Sequence, residues 1–246
     1  MTGPGQKPAQ ALIAKLERRD SLSSDERLAL TALLDSPRLY LAGSEILHPG
    51  IWPETSTLLI SGLAARLSGL EAGGRSITQL SIAGDFLDLH SLVMKQIDYG
   101  VVAISDCVTA ALPHNRLVDL LDDYPHLGRL LWLETAIDGA IQREWFHRLG
   151  RQGALPRMAH LFCELQARLE IVGLADETGF SLTLTQNDLA NCIGLSAVHV
   201  NRVLKELRDR QLVEWRAGRV SLLDKPALEK IAEFNPTYLR LHSAPV

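Results

Sequence analysis

The sequence predicts an α+β protein: an N-terminal β jelly roll, one long central helix and a C-terminal winged helix-turn-helix. Three observations carry that prediction. Short alternating segments broken by glycines run from Arg38 to Pro113, an uninterrupted helical pattern follows Pro125, and two cappable helices around a glycine precede a hairpin near the C-terminus. The chain has 246 residues, enough for two modest domains, and its 46% apolar content is sufficient for a sizeable core.

Residues 1–37 are expected to form a helical extension, because LSSDERLALTALL over 22–34 has a serine start and helical spacing. From Arg38 the texture changes to RLYLAG, TLLISGLAARLSG, SITQLSIAGDFL and GVVAISDCVTAALP. These segments are short and frequently alternating, with no βαβ rhythm, which argues for a small barrel or jelly roll over residues 38–124 rather than a Rossmann unit.

Residues 125–151, PHLGRLLWLETAIDGAIQREWFHRLGR, read as one helix that is long for a small domain. Leu127, Leu131, Glu134, Asp138, Ile141, Trp145 and Leu149 fall at spacings of three or four, and Leu130, Ile137 and Phe146 widen the stripe. This stripe is the expected seam of a two-fold dimer. The acidic pair Glu134 and Asp138 interrupts it, so a simple leucine zipper is not expected. Arg151–Pro156 reads as a hinge, followed by a helix over Arg157–Leu169.

The C-terminal unit, 155–246, carries the strongest pattern. Leu182 and Leu184 alternate with Ser181 and Thr183 as a short strand, and Thr185 with Asp188 has nearly the form of a capping box. The helix from Gln186 ends at Gly194, where glycine reaches the left-handed conformation without steric cost. Ser196 then caps SAVHVNRVLKELRDRQ, with Val200, Val203, Leu204 and Leu207 as its apolar stripe. A hairpin signal at Ala217–Gly218 places Arg216 and Arg219 beside its turn, and a helical tail follows over Pro226–Phe234.

Such a helix-turn-helix lays the N-terminal residues of its second helix at base edges in the major groove. Arg202 is the first candidate for base contact, since a guanidinium matches guanine O6 and N7, with Asn201, Ala197 and Val198 beside it. Thr185, Gln186, Ser196, His199, Lys205, Arg216 and Arg219 are the candidates for phosphate contact.

Charge agrees once it is divided along the chain. The formal net charge is −4, which excludes a wholly basic coating protein. Residues 196–222, however, hold six Lys and Arg against three Asp and Glu, a local net of +3.

Other chemistries lack a constellation. Cys107, Cys163 and Cys192 are too far apart for a CxxC site or a disulfide framework. His48, His90, His114, His126, His147 and His160 are scattered, so no metal site is assigned. There is no GxGxxG, Walker or HExxH motif, and no catalytic residue is proposed. No apolar run reaches the roughly 18–20 residues of a membrane span, and the N-terminus does not read as a signal peptide. The expected location is the cytoplasm.

The order of these parts resembles the cyclic-AMP-receptor and fumarate-nitrate-reduction (Crp/Fnr) regulators of bacteria. The resemblance runs from about Arg38, is most specific over TQNDLANCIGLSAVHVNRVLKELRDRQLV, 185–213, and includes a glycine-acidic segment, IAGDFLDLHSL, at 82–92. It implies a cyclic-nucleotide-binding-like β-domain and a homodimer on a pseudo-palindromic duplex, with RNA polymerase as a further partner. It gives Arg202 a base-contacting role and Thr185, Ser196 and His199 phosphate-facing roles, and makes Gly84 and Asp85 the effector-binding candidates.

Two departures matter. Where the nucleotide-responsive member has Arg and Glu ahead of His199, this chain has Ala197 and Val198, so its target sequence should differ. Where cyclic-nucleotide members place an Arg-Ser/Thr-Ala triplet, it has Asp98-Tyr99-Gly100-Val101-Val102, with no arginine between Arg75 and Arg116. A buried phosphate without a cation is costly, so the effector is not expected to be a cyclic nucleotide. No cysteine precedes Cys107, against an N-terminal iron–sulfur group; haem stays open with no residue recommending itself.

The expected function is therefore a dimeric, sequence-specific DNA-binding transcription regulator, not an enzyme. No cofactor is assigned, and a small-molecule effector of unknown identity is left open. The alternatives are a cyclic-nucleotide-responsive regulator of the same fold, and a protein-interaction module whose winged helix contacts protein.

Overall fold

The computed structural model describes residues 8–69 and 75–243. Residues 1–7 and 244–246, which belong to the units expected at 1–37 and 155–246, lie outside the described residues.

Helices α1 (Gln10–Glu17) and α2 (Ser24–Leu33) come first. Ser23 caps α2 through a complete capping box with Glu26. Seven strands follow: β1 (Arg38–Tyr40), β2 (Glu45–Leu47), β3 (Thr55–Ser61), β4 (Ala64–Gly69), β5 (Arg75–Ser81), β6 (Gly100–Ala103) and β7 (Cys107–Pro113). They form two antiparallel sheets, ordered β1-β7-β3 and β2-β6-β4-β5. Leu59 and Cys107 from one sheet share a buried cluster with Ile46, Ala64, Val101 and Ala103 from the other, so the sheets face each other as a jelly roll requires. A short helix, α3 (Ser91–Met94), follows the glycine-acidic turn.

Helix α4 (His114–Asp123) leads into α5, which spans Pro125–Arg151 with Pro125 at its first position. The next helix, α6 (Ala154–Ile171), starts three residues earlier than its sequence pattern suggests. Pro156 sits in its first turn, where a missing N–H costs no intrahelical bond, so the connection narrows to Gln152 and Gly153.

Strands β8 (Ala175–Asp176) and β9 (Gly179–Ser181) lead to helices α7 (Gln186–Ile193) and α8 (Ala197–Asp209). The hairpin β10 (Val213–Arg216) and β11 (Arg219–Leu222) completes a sheet ordered β10-β11-β9-β8, and α9 (Lys225–Ala232) follows. The strand expected at Ser181–Leu184 ends at Ser181. Leu182 and Leu184 are buried as their alternation suggests, but the Leu182 N–H goes to Gly218 O in the wing's turn and pairing stops there.

The two halves do not have separate cores. Ala65, Ile77, Leu80 and Ile82 of the β-domain, Ile141 and Trp145 of α5, and Phe162, Cys192 and Ile193 of the C-terminal unit belong to one buried cluster. Helix α7 packs on β5.

Candidate nucleic-acid interface

Local chemistry fixes the geometry of the helix-turn-helix. Thr185 Oγ1 accepts from Asp188 N and donates to Asp188 Oδ2, while Asp188 accepts from Thr185 N, so both ends of the capping box are made. Gly194 closes α7 with φ of 63°, and Ser196 Oγ accepts from His199 N to open α8. Leu189, Ala190, Ile193, Val200, Val203, Leu204 and Leu207 are buried beneath.

This leaves one outward face. Val198, Asn201, Arg202, Lys205 and Arg208 are exposed, and Ala197 and His199 are half-buried beside them. Arg202 Nη2 donates to His199 Nε2 at 2.8 Å. Asn201, Lys205 and Arg208 share with Gln186 and the wing residues Ala217 and Gly218 a surface groove of about 530 Å³. Lys205 and Arg208 make no ion pair among the described residues, whereas Arg210 pairs with Glu206 and Arg216 with Glu214.

The wing turns at Ala217 and Gly218, both at positive φ (51° and 76°), as a type I′ hairpin needs. Arg219, expected as a phosphate donor, has Nη2 committed to Asp176 Oδ1 (2.9 Å), Asp176 Oδ2 (2.8 Å) and Thr178 Oγ1 (3.0 Å). Thr178 and Arg219 together hold the Asp176 carboxyl well below the usual range. Arg219 thus ties the wing to the β8–β9 corner. Likewise the Thr185 hydroxyl is spent on its cap, leaving Gln186 and Asn187 as exposed side chains free of that cap at the helix start.

The expected dimer seam requires correction. Leu127, Leu131, Glu134, Ile141 and Trp145 are buried inside their own chain, Asp138 is engaged by Arg66 and Gln79, and of this set only Leu149 is exposed. Leu127 and Leu131 pack among Leu12, Leu16, Leu117 and Leu120, and Trp145 Nε1 donates to the buried Glu164 of α6 at 3.1 Å. The widening residues divide: Leu130 and Ile137 are buried, whereas Phe146 is 81% exposed. The outer face of α5 instead presents Trp132 (76% exposed), Ala136, Arg143, Phe146 and Gly150, at intervals of four, seven, three and four. An apolar stripe shows that a face is buried, not which chain buries it. Two exposed aromatic rings on this helix, Trp132 and Phe146, stand two heptads apart.

The expected effector residues are also in use. Lys15 of α1 donates to Asp85 Oδ1 at 2.8 Å and pairs with Glu134 of α5, while Arg168 of α6 donates to Asp85 Oδ2 at 2.7 Å. Burial alone would raise the Asp85 carboxyl, but Lys15 and Arg168 overcome that and hold it below the ordinary value. Gly84 lies against α1, where a Cβ would stand 2.9 Å from Ala11 C and O. The cavity left among Lys15, Asp85, Glu134 and Arg168 is about 30 Å³, room for about one or two waters.

A cation missing from the local sequence does arrive from β4. Arg66 is buried over the Tyr99 ring at 4.2 Å, but Asp138 (3.1 Å) neutralises it. Lys15, Arg66 and Arg168 all escaped the sequence reading, because each meets its partner across 70 or more residues.

The comparisons follow the same architecture. The family model of the Crp-like helix-turn-helix domain matches residues 156–231. The chain is 25% identical over 186 residues to the transcriptional activator protein FnrL of Cereibacter sphaeroides, covering 74% of each protein. It is 23% identical to the nitrogen fixation regulation protein FixK of Azorhizobium caulinodans, covering 82% of this chain and 81% of that one. Among solved structures, FixK2 of Bradyrhizobium japonicum superposes with a TM-score of 0.72 at 21% identity, over 80% of this chain and 96% of that one. A CRP/FNR-family transcriptional regulator of Thermus thermophilus superposes with a TM-score of 0.59 at 25% identity, over 81% and 99%.

Proposed function

This chain belongs to the Crp/Fnr family of DNA-binding transcription regulators, and we propose that it reads a pseudo-palindromic operator as a homodimer through the outer face of α8. The observation that carries this reading is that face itself: Val198, Asn201, Arg202 and Lys205 stand exposed on a helix whose other side is buried and whose start is capped. Arg202 and Asn201 supply base contacts, while Lys205 and the helix starts at Gln186 and Ser196 supply phosphate contacts. The cations Lys205 and Arg208, unpaired among the described residues and lining the groove between α8 and the wing, supply the positive charge that a phosphate backbone takes up.

The second copy belongs on the outer face of α5, where Trp132 and Phe146 are exposed and the helix is long enough to span both units. In this division residues 38–124 are the sensory-type unit, 125–151 the dimerisation helix and 155–246 the DNA-binding unit, with RNA polymerase as the partner at the promoter. No helix among the described residues is long and apolar enough to cross a membrane, and a DNA reader works in the cytoplasm. Control by a cyclic nucleotide is disfavoured, because Lys15 and Arg168 occupy the carboxylate that would take a ribose hydroxyl.

The test is a gel shift with purified protein against a duplex recovered by selection from a random library. Binding should saturate, yield to cognate competitor and fall with Arg202→Ala. Equal binding of wild type and variant to every duplex overturns the reading.

A further inference from the structure

We infer that Val198 reads a thymine within two base pairs of the guanine that Arg202 takes, with His199 as the residue that positions the Arg202 fork. This rests on the DNA-binding reading above and gives it a sequence.

Val198 is the anomaly on the reading face. It is 81% exposed in the first turn of α8, beside Asn201, Arg202 and Lys205, and no described residue covers it. A branched apolar side chain gains from leaving water only where it meets apolar surface. On the base edges of the major groove, the one apolar group is the thymine C5-methyl. A valine also has no polar atom with which to pair a guanine, cytosine or adenine edge, so its preference is for the methyl alone.

Arg202 stands four residues on, on the same side of the helix. At about 1.5 Å per residue the two side chains are about 6 Å apart along the axis, within two base-pair steps. The guanidinium is the natural partner of guanine O6 and N7.

His199 completes the set. Arg202 has no acceptor and can only donate, so the 2.8 Å contact makes His199 Nε2 the acceptor and puts the ring proton on Nδ1. One amino group of the fork is thereby anchored, leaving its other N–H groups for the base. An arginine held this way has less rotamer freedom to surrender on docking than one waving in solvent. His199 acts here through Arg202, which is a different role from the phosphate contact its position suggests.

The test uses the full chain and a selected duplex, with single atoms changed in the DNA. Replacing the thymine by deoxyuridine removes only the methyl, and replacing the guanine by 7-deazaguanine removes only the N7 acceptor. Wild type should bind the deoxyuridine duplex roughly three- to tenfold more weakly, while Val198→Ala binds both duplexes alike. His199→Ala should weaken binding roughly three- to tenfold and blunt the penalty for 7-deazaguanine, and His199→Gln, which keeps an acceptor, should restore both. Both positions lie on the outer side of α8, Val198 exposed and His199 half-buried, and unchanged melting temperatures confirm that the variants fold.

A selected half-site without thymine within two base pairs of the guanine, or wild-type indifference to deoxyuridine, overturns the Val198 assignment. A His199→Ala variant with an undiminished 7-deazaguanine penalty overturns the positioning role. Failure to select any duplex is separate from these outcomes and overturns the DNA-binding reading itself.

Discussion

Arg168 Nη2 lies 2.7 Å from Asp85 Oδ2, and this one ion pair joins α6 of the DNA-binding unit to the glycine-acidic turn of the β-domain. Arg168 is buried and the Asp85 side chain is 14% exposed, Lys15 takes the other Asp85 oxygen, and Arg168 also donates to Glu164 and to Leu80 O. The pair is a bolt between the two halves.

Breaking a buried pair costs about 3–5 kcal/mol, and here each single change leaves a buried network one charge short: Glu164 without Arg168, or Lys15 and Arg168 without Asp85. Arg168→Met should therefore lower the unfolding free energy by about that amount, and Asp85→Asn similarly. The double variant should lose less than the sum of the two, because the Asp85–Arg168 contact is then lost only once, although Lys15 still loses Asp85 and Glu164 still loses Arg168. Denaturant unfolding of the four proteins checks this, and additive losses would refute the coupling. The pH sense follows from the depressed Asp85 carboxyl. Its stabilisation is fully present above the unfolded carboxylate range and is lost as pH falls through the lower folded value.

The corrected face of α5 gives the second prediction. Phe146→Glu should shift the protein towards monomer in sedimentation while leaving its circular dichroism unchanged, because that ring is 81% exposed in the single chain. Ile141→Ala should do the reverse. It should cost about 2–5 kcal/mol of stability and leave the association equilibrium alone, since Ile141 is buried in its own chain. A monomeric Ile141→Ala and a dimeric Phe146→Glu would put the seam on the Leu127–Ile141–Trp145 side of the helix instead.

These two predictions mark where sequence stops being sufficient. The helix-turn-helix was legible because its signals are local: Thr185 with Asp188, Gly194 and Ser196 act within three or four residues of themselves. Helix α5 was legible in its extent for the same reason, and illegible in its orientation. A stripe such as Leu127–Leu131–Ile141–Trp145 satisfies its periodicity equally well against α4, α6 or a second copy. The effector turn was legible as Gly84-Asp85, but its occupants were not. Lys15 and Arg168 lie 70 and 83 residues away, and nothing near them in sequence refers to the turn. The single clue was ALIAKL at 11–16, a short amphipathic run with one lysine among apolar neighbours, now seen as α1.

His160 supplies a prediction about acid. It is buried on α6 against Phe234 and Tyr238, and burial, with Arg148 adding to it, pushes its pKa down to about 3. An unfolded histidine protonates near 6.5, so as pH falls from there towards 3 the unfolded state takes up a proton that the folded state refuses. Stability is lost across that window, by up to roughly 5 kcal/mol from this group. His160→Gln should flatten the difference between pH 7 and pH 5 in unfolding free energy, and an unchanged slope would exclude His160 as its source.

The last prediction separates the basic residues of the interface by what each is attached to. Lys205 is exposed, without an ion pair among the described residues, and beside the groove between α8 and the wing. A phosphate contact releases condensed counterions and adds about 0.9 to the slope of log affinity against log salt. Lys205→Ala should therefore lower affinity on all duplexes alike and flatten the slope by about 2 in a dimer, one contact from each copy. Arg219 is different, because Asp176 already neutralises it across the β8–β9 corner. Arg219→Ala should loosen the wing, seen as faster amide exchange in β10 and β11, while Asp176→Ala should release the arginine and steepen the salt slope. Removing both should return the slope to wild type. If Arg219→Ala flattens the slope as Lys205→Ala does, then DNA displaces Asp176, and the wing arginine serves phosphate and fold in turn.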